Sequence, residues 1–164
     1  MTHNGRFTAE LDGDFVVFLI GARLNRLRDL GPMIRIGRQM GEMQRVLAER
    51  PELGCLHAEN WNGRTSISVQ YWRSFEHLER FARDPELPHL EPWRAFNRLV
   101  RDNGAIGIWH ETYLVSAGSF EAIYGNMPRM GLAAAGDHVR AGRHSTAARR
   151  TGRSTTDQAP VEAY

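Results

Sequence analysis

The stretch Leu56-His57-Ala58-Glu59-Asn60-Trp61-Asn62-Gly63-Arg64-Thr65-Ser66-Ile67-Ser68-Val69-Gln70-Tyr71 decides the fold. Two runs of alternating polarity flank Asn62-Gly63, the dipeptide best suited to the left-handed residues of a tight hairpin turn. A two-residue turn sets Trp61 against Arg64. Counting outward, it pairs Asn60 with Thr65, Ala58 with Ile67, Leu56 with Val69 and Gly54 with Tyr71. That face is largely apolar. The opposite face, with Glu59 against Ser66, His57 against Ser68 and Cys55 against Gln70, is polar. The spacing predicts a hairpin with one core side, and that side carries Tyr71.

On the N-terminal side, Phe15 to Arg23 is apolar on both alternating sets and follows Asp12-Gly13-Asp14, as a central strand covered on both faces requires. Between it and the hairpin, Ile36, Met40, Met43 and Leu47 form one stripe of an amphipathic helix over Pro32 to Arg50, stopped by Pro51. Methionine at helical spacing reads as core rather than as a binding surface. On the C-terminal side, Ser74 is placed to cap a helix carrying Phe75, Leu78 and Phe81, which Asp84-Pro85 ends. After Pro88 a second pattern sets His89, Trp93, Phe96 and Val100 on one stripe, and Ile106 to Val115 reads as the last strand. The order β-α-β-β-α-β predicts an α+β, ferredoxin-like antiparallel sheet with helices on one face. Its bare face calls for a second copy, so a homodimer closing a barrel is the economical expectation.

With 164 residues, one main core is expected. The boundaries read as a flexible N-terminus over 1–12, a domain over 13–135 whose segment 117–135 folds as a lid, and a disordered basic tail over 136–164. The longest apolar run, Phe15 to Ile20, is too short to span a bilayer, and no apolar stretch precedes Asp12 as a secretory signal would. A cytoplasmic protein that does not enter membranes is expected. A single cysteine, Cys55, closes no intrachain disulfide. All 21 basic residues are Arg, which excludes lysine Schiff-base chemistry. Residues 137–164 hold 5 Arg against 3 acids and account for the net charge of +2, so no basic groove for nucleic acid is expected.

Candidate chemistry centres on the last strand. Ile106, Ile108, His110, Thr112 and Leu114 share one face, and Gly107, Trp109, Glu111, Tyr113 and Val115 share the other. His110 thus interrupts an apolar face beneath the helices, where a buried imidazole needs a partner. His89 and Trp93 start a stripe on a helix over the same sheet, and Tyr71 adds a phenol, so the residues predict an apolar cleft with few polar groups. Glu111 points to the other side, where a salt bridge at the dimer seam is the simplest role. Tyr124 and Asn126 lie in the lid segment. No G-x-G-x-x-G, P-loop, H-E-x-x-H or G-x-S-x-G pattern occurs, and the histidines show no local metal-ligand spacing, so no metal is expected.

The strings Tyr71-Trp72-Arg73-Ser74-Phe75-Glu76, Arg83-Asp84-Pro85, Pro88-His89, Trp93-Arg94-Ala95-Phe96-Asn97, Gly107-Ile108-Trp109-His110-Glu111-Thr112-Tyr113 and Tyr124-Gly125-Asn126-Met127-Pro128 together resemble monooxygenase-like proteins related to the fumagillin-pathway polyketide monooxygenase. The resemblance runs from about Gly13 to Ala135. It implies a dimeric α/β barrel related to antibiotic-biosynthesis monooxygenases and, more distantly, to haem-degrading monooxygenases and haem-containing aldoxime dehydratases. It further implies a small hydrophobic specialised metabolite, polyketide- or terpenoid-like, oxidised without a bound cofactor. His110 and His89 are then the catalytic acid/base candidates, and Tyr71, Trp93, Asn126, Tyr124 and Glu111 the substrate-binding candidates. Two alternatives stand beside this: a haem enzyme with His89 or His110 as axial ligand, and a non-catalytic dimeric protein that shelters a small ligand. After Pro128 the sequence continues Arg129-Met130, where that family has proline and an aromatic, which implies an altered lid.

Overall fold

A computed structural model describes residues 1–26, 28, 30–85, 104–142, 146–153 and 155. The chain forms two units, Val16–Tyr113 and a smaller one assembled from Met1–Phe15 and Leu114–Tyr164. The expected domain over 13–135 takes in the larger unit together with residues 13–15 and 114–135 of the smaller one.

In the larger unit, β2 (Phe15–Leu24) is followed by α1 (Leu30–Glu49), β3 (Cys55–Trp61), β4 (Thr65–Trp72), α2 (Phe75–Arg83) and β5 (Ile106–Val115). The sheet order is β3-β4-β2-β5, with β2 antiparallel to β4 and β4 to β3, the order of a ferredoxin-like α+β fold. Ser74 caps α2, its hydroxyl accepting from the His77 N–H at 3.4 Å and lying 2.9 Å from the His77 ring nitrogen. The His77 ring fills the space where a side chain at Gly54 would stand, and Gly54 has φ +86°, so glycine is required there on both counts.

The hairpin lies where the sequence placed it but in another register. Trp61 pairs with Ile67, Asn60 with Ser68, Glu59 with Val69, Ala58 with Gln70 and His57 with Tyr71. The strands close later than a two-residue turn allows, and the Ser66 hydroxyl reaches back to the Gly63 N–H and carbonyl at 3.4 Å each. An odd shift reverses the faces of one strand relative to the other. On β4 the expected core side is therefore the outward one, while Ala58 and Asn60 of β3 stay on the helix side as expected. Ser66, Ser68 and Gln70 point to the helices, while Ile67, Val69 and Tyr71 point away.

The helix-facing core gathers Val16, Leu47, Trp72, Leu78 and Phe81, with Ala22, Leu24, Met33 and Ile106 as a second cluster. Trp72 is wholly buried and lies 5.2 Å from the Phe81 ring. On the outward face the Trp109 indole covers Gly21, where even a methyl group would collide with it.

In the smaller unit, β1 (Thr2–Glu10) lies between β6 (Tyr124–Pro128) and β7 (Asp137–Arg140), antiparallel to both. Residues 1–12 are thus a central strand rather than a flexible arm, and residues 137–140 belong to a sheet rather than to a disordered tail. Both had read as solvated because their polar side chains hide a pairing made by backbone groups more than 110 residues apart. The expected lid over 117–135 contains β6 and a helical turn at Leu132–Ala135.

Phe7 stacks on His138 at 4.4 Å, with His3 and Tyr124 edge-on to the same imidazole. Burial, with lesser contributions from His3 and Arg129, holds the His138 pKa below its ordinary value. The unfolded chain therefore binds more protons than the folded one between that lowered pKa and about 6.5. The small sheet keeps its full stability above about pH 6.5 and loses part of it as pH falls through that window. Protection of the β7 amides, with the intrinsic exchange rate divided out, is expected to fall there, and His138→Phe is expected to flatten the dependence. An unchanged slope in that variant would remove His138 as the cause.

Candidate functional site

A cavity of about 770 Å³ lies between the helix-facing side of the four-stranded sheet and helices α1 and α2. Its size suits a small organic ligand. Met33, Ile36, Met40 and Met43 of α1 form an apolar wall, Leu78 and Phe81 of α2 another, and Phe18 and Ile20 much of the floor. The helical stripe read from the sequence as core is thus shared between core and cavity.

His110 lines this cavity together with Ile108 and Thr112, on the face of β5 that the alternation assigned to the core. Its ring centroid lies 5.9 Å from that of Phe18. The expectation of a buried imidazole is corrected: His110 is solvent-exposed, so no buried partner is demanded and water can relay its proton. Tyr71 and Glu111 lie on the opposite face of the sheet, Tyr71 through the changed register and Glu111 through simple alternation. Glu111 accepts a hydrogen bond from the Tyr113 hydroxyl there. His89 and Trp93 fall outside the described residues. Tyr124 and Asn126 belong to the smaller unit. The Tyr124 hydroxyl accepts from the Ala133 N–H at 3.1 Å, and the Asn126 side-chain oxygen accepts from the Gly5 N–H at 2.9 Å.

The polar part of the cavity is a strip centred on Ser68 and Gln70, which the expected hairpin register turns outward, joined by Gln44 of α1 and by Asn60 of β3. The Trp72 indole N–H donates to Gln70 Oε1 at 3.0 Å, and Gln70 Nε2 donates to Ser68 Oγ at 3.3 Å. Gln44 Nε2 donates to Ser68 Oγ at 3.1 Å, and the Gln44 and Asn60 amides bond each other reciprocally at 2.6 Å. Gln70 and Ser68 are 1% and 2% exposed. The alternation Ser66-Ile67-Ser68-Val69-Gln70 carried the signal, but its direction depended on the register.

Burial pushes the Cys55 thiol up to about 12, which leaves it protonated and unsuited to nucleophilic work. Among the described residues no three His, Cys, Asp or Glu side chains converge as metal ligands. No described helix is long and apolar enough to cross a membrane. For haem, His110 offers an imidazole, but the charged side chains of the described lining are otherwise Glu42 and Glu79, the wrong sign to meet two propionates. Among the described residues that fit fails.

The model of the "Monooxygenase af470-like" family matches residues 15–132. Monooxygenase af470 of Aspergillus fumigatus is 31% identical over 123 residues, which are 70% of this chain and 43% of that protein, so the chain spans less than half the length of this relative. Among solved structures, an aldoxime dehydratase (OxdRE) crystallised with butyraldoxime superposes with a TM-score of 0.62 at 18% identity, over 75% of this chain and 37% of that one. A dimeric ferredoxin-like protein from an uncultured marine organism gives a TM-score of 0.42 at 16% identity, over 63% of this chain and 96% of that one. The likeness to the dehydratase shows the fold, and the match across most of the chain, from the first strand of the four-stranded sheet to Leu132, shows the family: this chain belongs to the monooxygenase af470-like family.

Proposed function

We propose that this protein is a monooxygenase-like oxidoreductase that holds a small apolar metabolite, polyketide- or terpenoid-like, between sheet and helices and oxidises it with O₂ without a bound cofactor. The observation that carries this reading is a ligand-sized apolar cavity whose described lining holds the His110 imidazole and a hydrogen-bonded amide and hydroxyl strip on its floor. His110 takes a proton from an activated substrate carbon, and the resulting carbanion supplies the electrons that reduce O₂. In the net change a CH₂ group and O₂ give a carbonyl and water, so every electron comes from the substrate. His89 is the second base candidate, and Trp93 a second positioning candidate, on residues outside those described.

A homodimer belongs to the same proposal. The outward face of the sheet carries Val17, Leu19, Val69, Tyr71 and Trp109, an apolar surface suited to a second copy. Native mass spectrometry of freshly purified protein reports dimer mass, haem and any retained metabolite together. The retained metabolite, returned to ligand-free, chelator-treated protein under ¹⁸O₂, is expected to consume one O₂ per molecule and to gain ¹⁸O. Its recovery unchanged would leave the sheltering, non-catalytic role. A Soret band after haem addition would move the chemistry to haem.

A further inference from the structure

The polar strip on the cavity floor has a direction. An indole N–H can only donate, so Trp72 fixes the Gln70 amide with its oxygen toward the indole and its NH₂ toward Ser68. That leaves the second amide proton of Gln70 without a hydrogen-bond acceptor among the described residues. Ser68 Oγ receives two N–H groups, from Gln70 and from Gln44, so both of its lone pairs are used and its own proton is left over. The oxygens of Gln70, Gln44 and Asn60 each already accept a bond. Each oxygen of the strip thus has at least one donor, whereas Gln70 and Ser68, 1% and 2% exposed and lining an apolar cavity, each keep one proton without an acceptor among the described residues. A buried donor without an acceptor is costly, and a ligand oxygen removes that cost.

We infer that Ser68 and Gln70 form a donor pair that selects ligands bearing a carbonyl-type acceptor oxygen: a ketone, an ester, a quinone or the enolate formed from one. The inference rests on the cavity being the ligand site, as proposed above, and adds the chemical class of the ligand and the end at which it is held. Ser68 pairs with Ile20 on β2, and the Phe18 ring lies beside His110 on the next strand. The donor pair and the imidazole therefore stand about two strand spacings apart, roughly 10 Å. The ligand is held by its oxygen at one end of an apolar slot, and its reacting carbon lies toward the other.

Two fluorescent probes of similar size separate the possibilities: a propionyl dimethylaminonaphthalene, an apolar ketone whose emission moves to longer wavelength when its carbonyl accepts a hydrogen bond, and N-phenylnaphthylamine, which has no carbonyl. Both are expected to bind the full chain, and Gly37→Trp, which places an indole in the cavity from α1, is expected to displace both. In Ser68→Ala the ketone is expected to bind about five- to tenfold more weakly with blue-shifted emission, while the amine is unaffected. Ser68→Thr, which keeps the hydroxyl, restores the ketone. Equal effects on both probes, or on neither, would overturn the donor pair while leaving the cavity as a ligand site. Such a result would place the Ser68 proton on a Gln44 amide turned end for end. Should Ser68→Ala fail to fold, the wild-type spectrum decides: bound-ketone emission at its hydrocarbon wavelength overturns the inference. Failure of both probes to bind, or indifference to Gly37→Trp, would sink the cavity reading itself and the inference with it.

Discussion

Trp72→Ala is expected to lower the free energy of unfolding by about 4 kcal/mol or more, enough to leave much of the protein unfolded at ordinary temperature. Truncating a buried Trp costs about 3–5 kcal/mol in lost transfer energy and residual cavity. Trp72 is the centre of its cluster, between Val16, Leu47, Leu78 and Phe81, and has no exposed surface to give up. A second loss falls on Gln70, whose buried Oε1 is left without the indole donor, a penalty of about 1–3 kcal/mol. Native domains are stable by only about 5–15 kcal/mol. Urea unfolding measures the total. Trp72→Phe separates the parts, since it keeps most of the ring packing and loses the hydrogen bond. A loss below about 1 kcal/mol in Trp72→Ala would mean that the cluster does not carry the larger unit.

The largest kinetic effect is expected at His110. If its imidazole is the base, His110→Ala should lower kcat by about 10²–10⁴-fold with little change in KM, as removal of a general base does. Because His110 is exposed and its ring approaches Phe18 among the described residues, its removal should leave thermal stability nearly unchanged. That combination distinguishes a catalytic loss from a folding loss. A fall of less than about threefold, or a full loss in His89→Ala instead, would pass the role to the second histidine.

Much of the larger unit was legible in the sequence because local patterns and tertiary packing agree there. Phe15–Leu24, Ile106–Val115, the Met40-Met43-Leu47 stripe and the Ser74 cap all lie where periodicity and capping chemistry place them. The hairpin shows the limit of such reading. Asn62-Gly63 marks the bend, yet the closing pair is Trp61 with Ile67, and that choice depends on a Ser66 side chain bonding back to Gly63, which no polarity pattern announces. The site follows the same division. The side of β5 on which His110 lies was legible from strand alternation alone. Ser68 and Gln70 were assigned to the wrong side with the register, and Tyr71 was placed in the cavity for the same reason.

The small sheet has a consequence for how the chain comes to be folded at all. Its middle strand is made first, from residues 2–10, and its two neighbours, residues 124–128 and 137–140, are made last. At roughly 5–20 residues per second, the nascent segment waits on the order of 6–24 s outside the ribosome before either mate emerges. During that interval both of its backbone edges are open to any passing strand, and the charges of Arg6 and Glu10, with Gly5 bending it at a bulge, are what this segment has to discourage a wrong match.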